Sequence, residues 1–123
     1  MRKIAIICGP FYSKNRKVLK ENILNAAAVA EAYWKKGYSV LCPHANSGFM
    51  YNRGVSEDRF RQFYLDLIPV LQDNANVTLV ALPGYETSEG SMAEISSAHL
   101  CGIFIQYLSS EELEKYRRNY DRG

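Results

Sequence analysis

Cysteine is scarce in this chain: Cys8, Cys42 and Cys101 are the only three in 123 residues, far apart and without a C-x-x-C pair. An odd number at such spacing argues against a disulfide framework and against a cysteine zinc site. It fits buried thiols in a reducing cytoplasm. No apolar run approaches the roughly 18 residues that cross a bilayer, so no membrane partner is expected. Neither sign of charge dominates. The formal net charge is +2, too weak to argue for a nucleic-acid polymer as partner. The two histidines, His44 and His99, stand too far apart to suggest a metal centre. G-x-G-x-x-G, the Walker loop, G-x-S-x-G and H-E-x-x-H are all missing, and with them the usual signatures of dinucleotide, P-loop, α/β-hydrolase and zincin sites. There are no internal repeats or low-complexity tracts. The start, Met1 to Gly9, is basic and then apolar. It is too short for a signal peptide and reads as a first strand. No cofactor and no metal is expected.

What is present is an ordinary globular composition, 47% hydrophobic and 23% charged, long enough for one domain with a real core. Lys3 to Cys8 is a β-branched run of the kind covered on both faces of a sheet. Gly9-Pro10 ends it, and Phe11 to Lys17 reads as a polar, basic loop. Leu19, Ile23, Ala26, Ala27, Ala30 and Tyr33 or Trp34 recur at helical spacing up to Lys36, with Gly37 at the C′ position. Tyr38 to Cys42 forms a second strand, stopped by Pro43. His44 to Val55 has no period and reads as a loop. Ser56 is a plausible N-cap for a helix marked by Phe60, Phe63, Tyr64, Leu67, Ile68 and Leu71. Pro69 is expected to kink or shorten it. Val77 to Leu82 and Gly102 to Tyr107 are two more strands. Ser109 to Glu112 is a capping box that opens a final charged helix. Strands alternate with helices throughout. The pattern predicts an α/β fold: a single-domain three-layer sandwich around an open parallel sheet of four or five strands, flavodoxin- or Rossmann-like. The domain is expected over 1–108, with a charged helix or tail over 109–123.

The chain turns on Leu82 to Glu94. A buried strand breaks at Pro83-Gly84, a polar loop follows, and a helix begins near Ser88 with Met92, Ile95, Ala98 and His99 on its packed face. Parallel sheets bind ligands at such strand-to-helix junctions, and the unpaired N–H groups of a first helical turn favour an anion. Glu94 follows one turn beyond Gly90, roughly 6 Å along the axis. Three loops are expected to converge here: Gly9–Lys17, His44–Val55 and Gly84–Gly90. They bring Tyr12, Ser13, Asn15, Arg16, His44, Asn46 and Ser88, with Ser91 and Glu94 on the helix that follows. Arg16 is the expected charged partner of an anion near Gly9. Ser88 and Ser91 are also ordinary cap and first-turn residues.

Several segments resemble one known family. These are the strand from Ile4 to Pro10 ending in Cys-Gly-Pro, Asn25-Ala26-Ala27, Gly37-Tyr38-Ser39-Val40, Pro43-His44, and above all Leu-Pro-Gly-Tyr-Glu-Thr-Ser-Glu-Gly-Ser-Met-Ala-Glu followed by Ala98. Together they resemble the nucleoside 2-deoxyribosyltransferase-like superfamily, in particular its small, often phage-associated branch of unknown function, related to nucleoside 5′-monophosphate N-glycosidases. The resemblance covers roughly residues 3–107, and Ser88, Gly90 and Glu94 are its specific part. It implies cleavage or exchange of an N-glycosidic bond, with Glu94 as the nucleophile and Ser88 as a ligand of the 5′-phosphate. Gly9, Pro10, Phe11, Tyr12 and Arg16 would frame sugar and phosphate. Gly90, Ser91 and His44 complete the expected substrate contacts, and Asp73 is the candidate for the acid that protonates the leaving base. It also implies a nucleotide or nucleoside as the small-molecule partner, and a homodimer or higher homo-oligomer.

Two positions depart from the family pattern. Ala5, Ile6 and Ile7 stand where a strand-one tyrosine commonly orients the glutamate. Asn74 and Asn76 lie nearer than Asp73 to the place of the usual aspartate. Hydrolysis and base transfer both remain open, as does a nucleotide-binding or sequestering protein on the same fold. A cytokinin-activating phosphoribohydrolase would carry a fuller glycine-rich signature than this chain has.

Overall fold

The computed structural model describes residues 2–44 and 56–123. Most of the loop expected over His44–Val55, including Asn46, lies outside the described residues. The elements run β1 (Lys3–Cys8), α1 (Arg16–Lys35), β2 (Ser39–Leu41), α2 (Glu57–Asn74), β3 (Asn76–Ala81), a 3₁₀ turn (Tyr85–Thr87), α3 (Glu89–Leu100), β4 (Phe104–Tyr107) and α4 (Ser110–Arg122). The four strands form one all-parallel sheet in the order β2-β1-β3-β4. This is the expected α/β architecture, a three-layer Rossmann-like sandwich.

Alternation along the strands explains the layers. On one side of the sheet Ala5, Ile7, Val80 and Leu82 pack with Ala26, Val29, Ala30 and Tyr33 of α1. On the other, Ile6, Cys8, Val77, Leu79 and Ala81 pack with Ile68 of α2 and with Ile95 and Ala98 of α3. Both faces are covered, so the strands read as continuous apolar runs rather than alternating ones. The order reverses at β1/β3: the chain steps outward from β1 to β2, then returns to lay β3 on the other side of β1. Loops diverge at such a switch point and leave a crevice beyond the carboxyl ends of the strands.

Several boundaries differ from the sequence reading. Arg16 and Lys17 belong to α1 and not to a loop, because Asn15 caps the helix, its Oδ1 accepting from the N–H of Lys17 at 2.9 Å and of Val18 at 3.4 Å. Trp34 is exposed, and Tyr33 is the buried aromatic of α1. α2 runs through Pro69 to Asn74. On α3 Ile95 and Ala98 are packed as expected, but Ser91 takes the buried place expected for Met92, and Met92 and His99 face outward. The final helix is joined to the domain. Leu113 and Tyr116 pack against the α1-side core, Lys36 Nζ donates to Tyr116 Oη at 2.7 Å, and Arg117 Nη1 meets Glu21 Oε2 at 2.6 Å and Asn25 Oδ1 at 2.9 Å. Ser109 and Glu112 form the expected capping box. Among the described residues, no helix is long and apolar enough to cross a membrane.

Candidate active site

The crevice at the switch point is a cleft lined by Gly9, Phe11, Pro43, His44, Phe60, Arg61, Tyr64, Ser88, Gly90, Ser91 and Glu94. It is an open cleft of about 490 Å³, counting the space open to solvent at its mouth.

Its floor is the junction of β1 and β3. Cys8 pairs with Ala81 in register, and the N–H of Leu82 donates to the Cys8 carbonyl at 2.8 Å. A Cβ on Gly9 would stand 2.8 Å from Leu82 Cβ, inside contact distance, so the two strand exits approach this closely only with glycine there. The Gly9–Phe11 loop is tied on two further sides. Asn22 Nδ2 donates to the Phe11 carbonyl at 3.1 Å. His44 Nε2 lies 3.2 Å from the Gly9 carbonyl and 3.0 Å from the Pro10 carbonyl.

That contact fixes the tautomer of His44. Carbonyl oxygens only accept, so Nε2 carries the hydrogen and Nδ1 is left with its lone pair. Burial lowers the His44 pKa, opposed by the Pro10 and Gly9 carbonyls, which keeps the ring neutral. Nδ1 is sealed from solvent and has no hydrogen-bond partner among the described residues. Phe11 stands edge-on to the ring at 5.3 Å.

The wall opposite is the start of α3. Gly84, at φ +91, turns the chain out of β3. Ser88 then caps the helix, its Oγ accepting from the Ser91 N–H at 3.2 Å. Ser91 is buried and its side chain hydrogen-bonds Cys8. The Cys8 thiol is held far above its ordinary pKa, by burial first and by the nearby charge of Glu94 second, with the Ser91 bond acting the other way. It is therefore a packed thiol and not a nucleophile.

Glu94 lies one turn further along α3, half-buried as a whole residue but with Oε2 closed to solvent and without a hydrogen-bond partner among the described residues. Burial raises its pKa to about 8, and the Arg61 charge pulls the other way. Strongly perturbed carboxyls in clefts cluster at functional sites, which makes Glu94 a candidate.

Of the residues expected from sequence, Gly9, Phe11, His44, Ser88, Gly90, Ser91 and Glu94 are brought together. Pro10 lies just behind the lining, its carbonyl held by His44 and its ring against Gly84. Tyr12 and Arg16 are exposed and are not among the lining residues. Asp73 is not brought to Glu94: it lies in the last turn of α2, just before β3 begins, and so at the amino edge of the sheet while Glu94 lies at the carboxyl edge. The length of β3, roughly 20 Å at 3.3 Å per residue, separates the two edges. Ser91 turns toward Cys8, which makes it part of the floor.

Sequence reasoning missed Pro43, Phe60, Arg61 and Tyr64 as site residues. The signal was there. Arg61 is three residues before buried Tyr64 and seven before buried Ile68, a charge in line with an apolar helical stripe. Among the described residues, no group of histidine, cysteine and acidic side chains is arranged to hold a metal.

No protein-family model matches the chain, and no curated protein matches it.

Proposed function

We propose that the protein cleaves the N-glycosidic bond of a nucleoside 5′-monophosphate or related nucleotide, with Glu94 as nucleophile. The observation that carries this reading is the Glu94 carboxyl itself. It faces a cleft at the sheet's switch point, has one oxygen without a partner among the described residues, and stands one helical turn beyond the start of α3, where the N–H groups of Glu89 and Gly90 have no acceptor within the helix. An anion at that N-terminus and an electrophilic carbon at the carboxylate are what the two ends of the cleft suit. The resemblance described above supports the same assignment.

In this mechanism an ionised Glu94 oxygen attacks C1′ of the sugar as the C1′–N bond breaks, and the base departs with the bonding pair. The base nitrogen then takes a proton. Water attacks C1′ of the glycosyl-enzyme, restores the carboxylate and completes hydrolysis; a second base at that step gives transfer instead. Ser88 and the first turn of α3 hold the phosphate, while Gly9 and Phe11 bound the sugar. Glu94 is the one carboxylate among the described lining residues, and solvent can supply the proton that the departing base takes up. The resemblance favours a homodimer.

A second reading has its own observation. With Asp73 at the far edge of the sheet, the cleft also fits a protein that binds or sequesters nucleotides without cutting them. Incubation with a panel of ribo- and deoxynucleotides, read by chromatography for free base, separates the two. The glycosidase reading expects base release from at least one monophosphate, and binding without release favours sequestration. Added second base distinguishes transfer from hydrolysis.

A further inference from the structure

Between β1 and α1 the chain passes through Gly9, Pro10 and Phe11, and all three carbonyls of this turn are taken by side chains from other elements. Pro10 has no N–H to give the turn a bond of its own, and a buried carbonyl needs a donor from somewhere. Asn22 of α1 donates to the Phe11 carbonyl at 3.1 Å. His44 serves the other two. Its Nε2 lies 3.2 Å from the Gly9 oxygen and 3.0 Å from the Pro10 oxygen, so one N–H is shared by consecutive carbonyls. His44 comes just after β2, whose last residue, Leu41, pairs with Ile6 of β1. The imidazole thus reaches from one strand exit to the loop of its neighbour. It is 5% exposed and Phe11 stands edge-on to it, so the ring is packed as well as bonded. The shape of the loop is passed on to the opposite wall. A methyl group built on Gly84 would stand 3.0 Å from Pro10 Cγ. The Pro10 ring therefore rests against the residue that turns the chain out of β3 toward Ser88 and Glu94. The other ring nitrogen of His44, Nδ1, is closed to solvent and is not open to a ligand in the cleft.

We propose that His44 is a positioning residue of the cleft and not a substrate contact: through Nε2–H it holds the Gly9–Phe11 loop in the shape that receives the ligand, and through Pro10 it registers that loop against the wall that carries Glu94. This rests on reading the cleft as a nucleotide site. The two oxygens that His44 holds are the negative ends of peptide dipoles, close to a carboxylate and to the place of an anion. Bonded to the imidazole, they are turned toward it. Released, they would be free to face the cleft and repel both. Alignment of a nucleophile with its target carbon is sensitive to such shifts, a misplacement of roughly 1 Å costing about 10²-fold in rate. The role needs a donor at the position of Nε2. The side-chain nitrogen of glutamine stands as many bonds from Cβ as Nε2 does, whereas that of asparagine is one bond short, and phenylalanine fills the space with no donor at all.

The first test reads the loop itself, by NMR of the Gly9 and Phe11 amides and of the His44 ring nitrogens. In the parent protein a proton is expected on Nε2 and none on Nδ1; the reverse overturns the proposal, and this measurement stands even should a variant fail to fold. His44→Gln is expected to keep the Gly9 and Phe11 signals near their parent positions, and His44→Asn and His44→Phe to move them. A glutamine variant that behaves like the phenylalanine one overturns the proposal. The second test is titration calorimetry with a nucleoside monophosphate in the Glu94→Gln background, well below each protein's melting temperature so that lost stability does not enter. His44→Asn and His44→Phe are expected to bind about 10–100-fold more weakly, because the ligand must then restore the order of the loop from its own binding energy. His44→Gln is expected to stay within about threefold of the parent. Equal binding by all of them overturns the proposal. Base release by the parent, measured separately, judges the glycosidase reading. A parent that binds no nucleotide rejects that reading and leaves the loop signals to decide His44. Base release that is as fast in His44→Phe as in the parent upholds the reading and rejects His44.

Discussion

Glu94 is held in a conflict that has measurable consequences. Its pKa is raised from 4.5 to about 8, because burial disfavours the charge more than Arg61 favours it. The folded state thus holds the proton more tightly than the unfolded chain. Between pH 4.5 and about 8 unfolding releases that proton, so stability falls as pH rises through this window and levels off above it. Glu94→Gln removes the penalty. It is expected to stabilise the protein by roughly 2–4 kcal/mol at about pH 9 and hardly at all at about pH 4. Thermal denaturation at the two pH values checks this, and an equal change at both would refute the burial account. The same group sets the activity profile. kcat/KM for a nucleotide is expected to rise with pH toward a limb near 8, where free Glu94 ionises. Arg61→Gln removes the charge that lowers this pKa and should move the limb upward. Glu94 was legible in the sequence because it stands at a fixed distance after Ser88 and Gly90. Arg61 was not, because its role depends on α2 crossing over the start of α3, a contact between segments that sequence spacing does not specify.

At the scale of elements, β1 could be read residue for residue and β3 to within one residue, since strands buried on both faces are unbroken apolar runs. The phase of α3 was harder. Ile95 and Ala98 were legible as apolar residues at helical spacing, but a serine is a weaker apolar marker than Met92; Ser91 is nonetheless the buried one, through its contact with Cys8. The junction of β1 and β3 gives a sharp test. Gly9→Ala brings a methyl group to 2.8 Å from Leu82 Cβ and must push the strand exits apart. We expect a loss of about 2–3 kcal/mol in denaturant unfolding, together with weaker ligand binding, since the same exits form the floor of the cleft. A variant as stable as the parent would show that the exits have room to separate.

For the molecule as a whole, the boundary expected at 108/109 set the charged helix or tail apart from the domain, because charged residues dominate its composition. Its apolar residues are few, but Leu113 and Tyr116 meet the core, and Arg117 ties α4 to Glu21 and Asn25 of α1. Removing residues 109–123 is expected to lower the melting temperature by 10 °C or more, on the order of 3–5 kcal/mol for lost core contacts in a domain of this size. An unchanged melting curve would return α4 to the status of an appendage. The strand order, by contrast, was not set by the sequence pattern. Alternating strands and helices imply a parallel sheet, but that β3 returns beside β1, creating the switch point and its cleft, is a property of the assembled chain.

The central claim is that Glu94 attacks the sugar. It is tested most directly by the initial rate of base release from one nucleoside 5′-monophosphate, compared between the parent protein and Glu94→Gln above pH 8. The account predicts measurable release by the parent and a loss of at least about 10³-fold in the variant, with monophosphate binding retained. Release that survives the substitution at a comparable rate would contradict it.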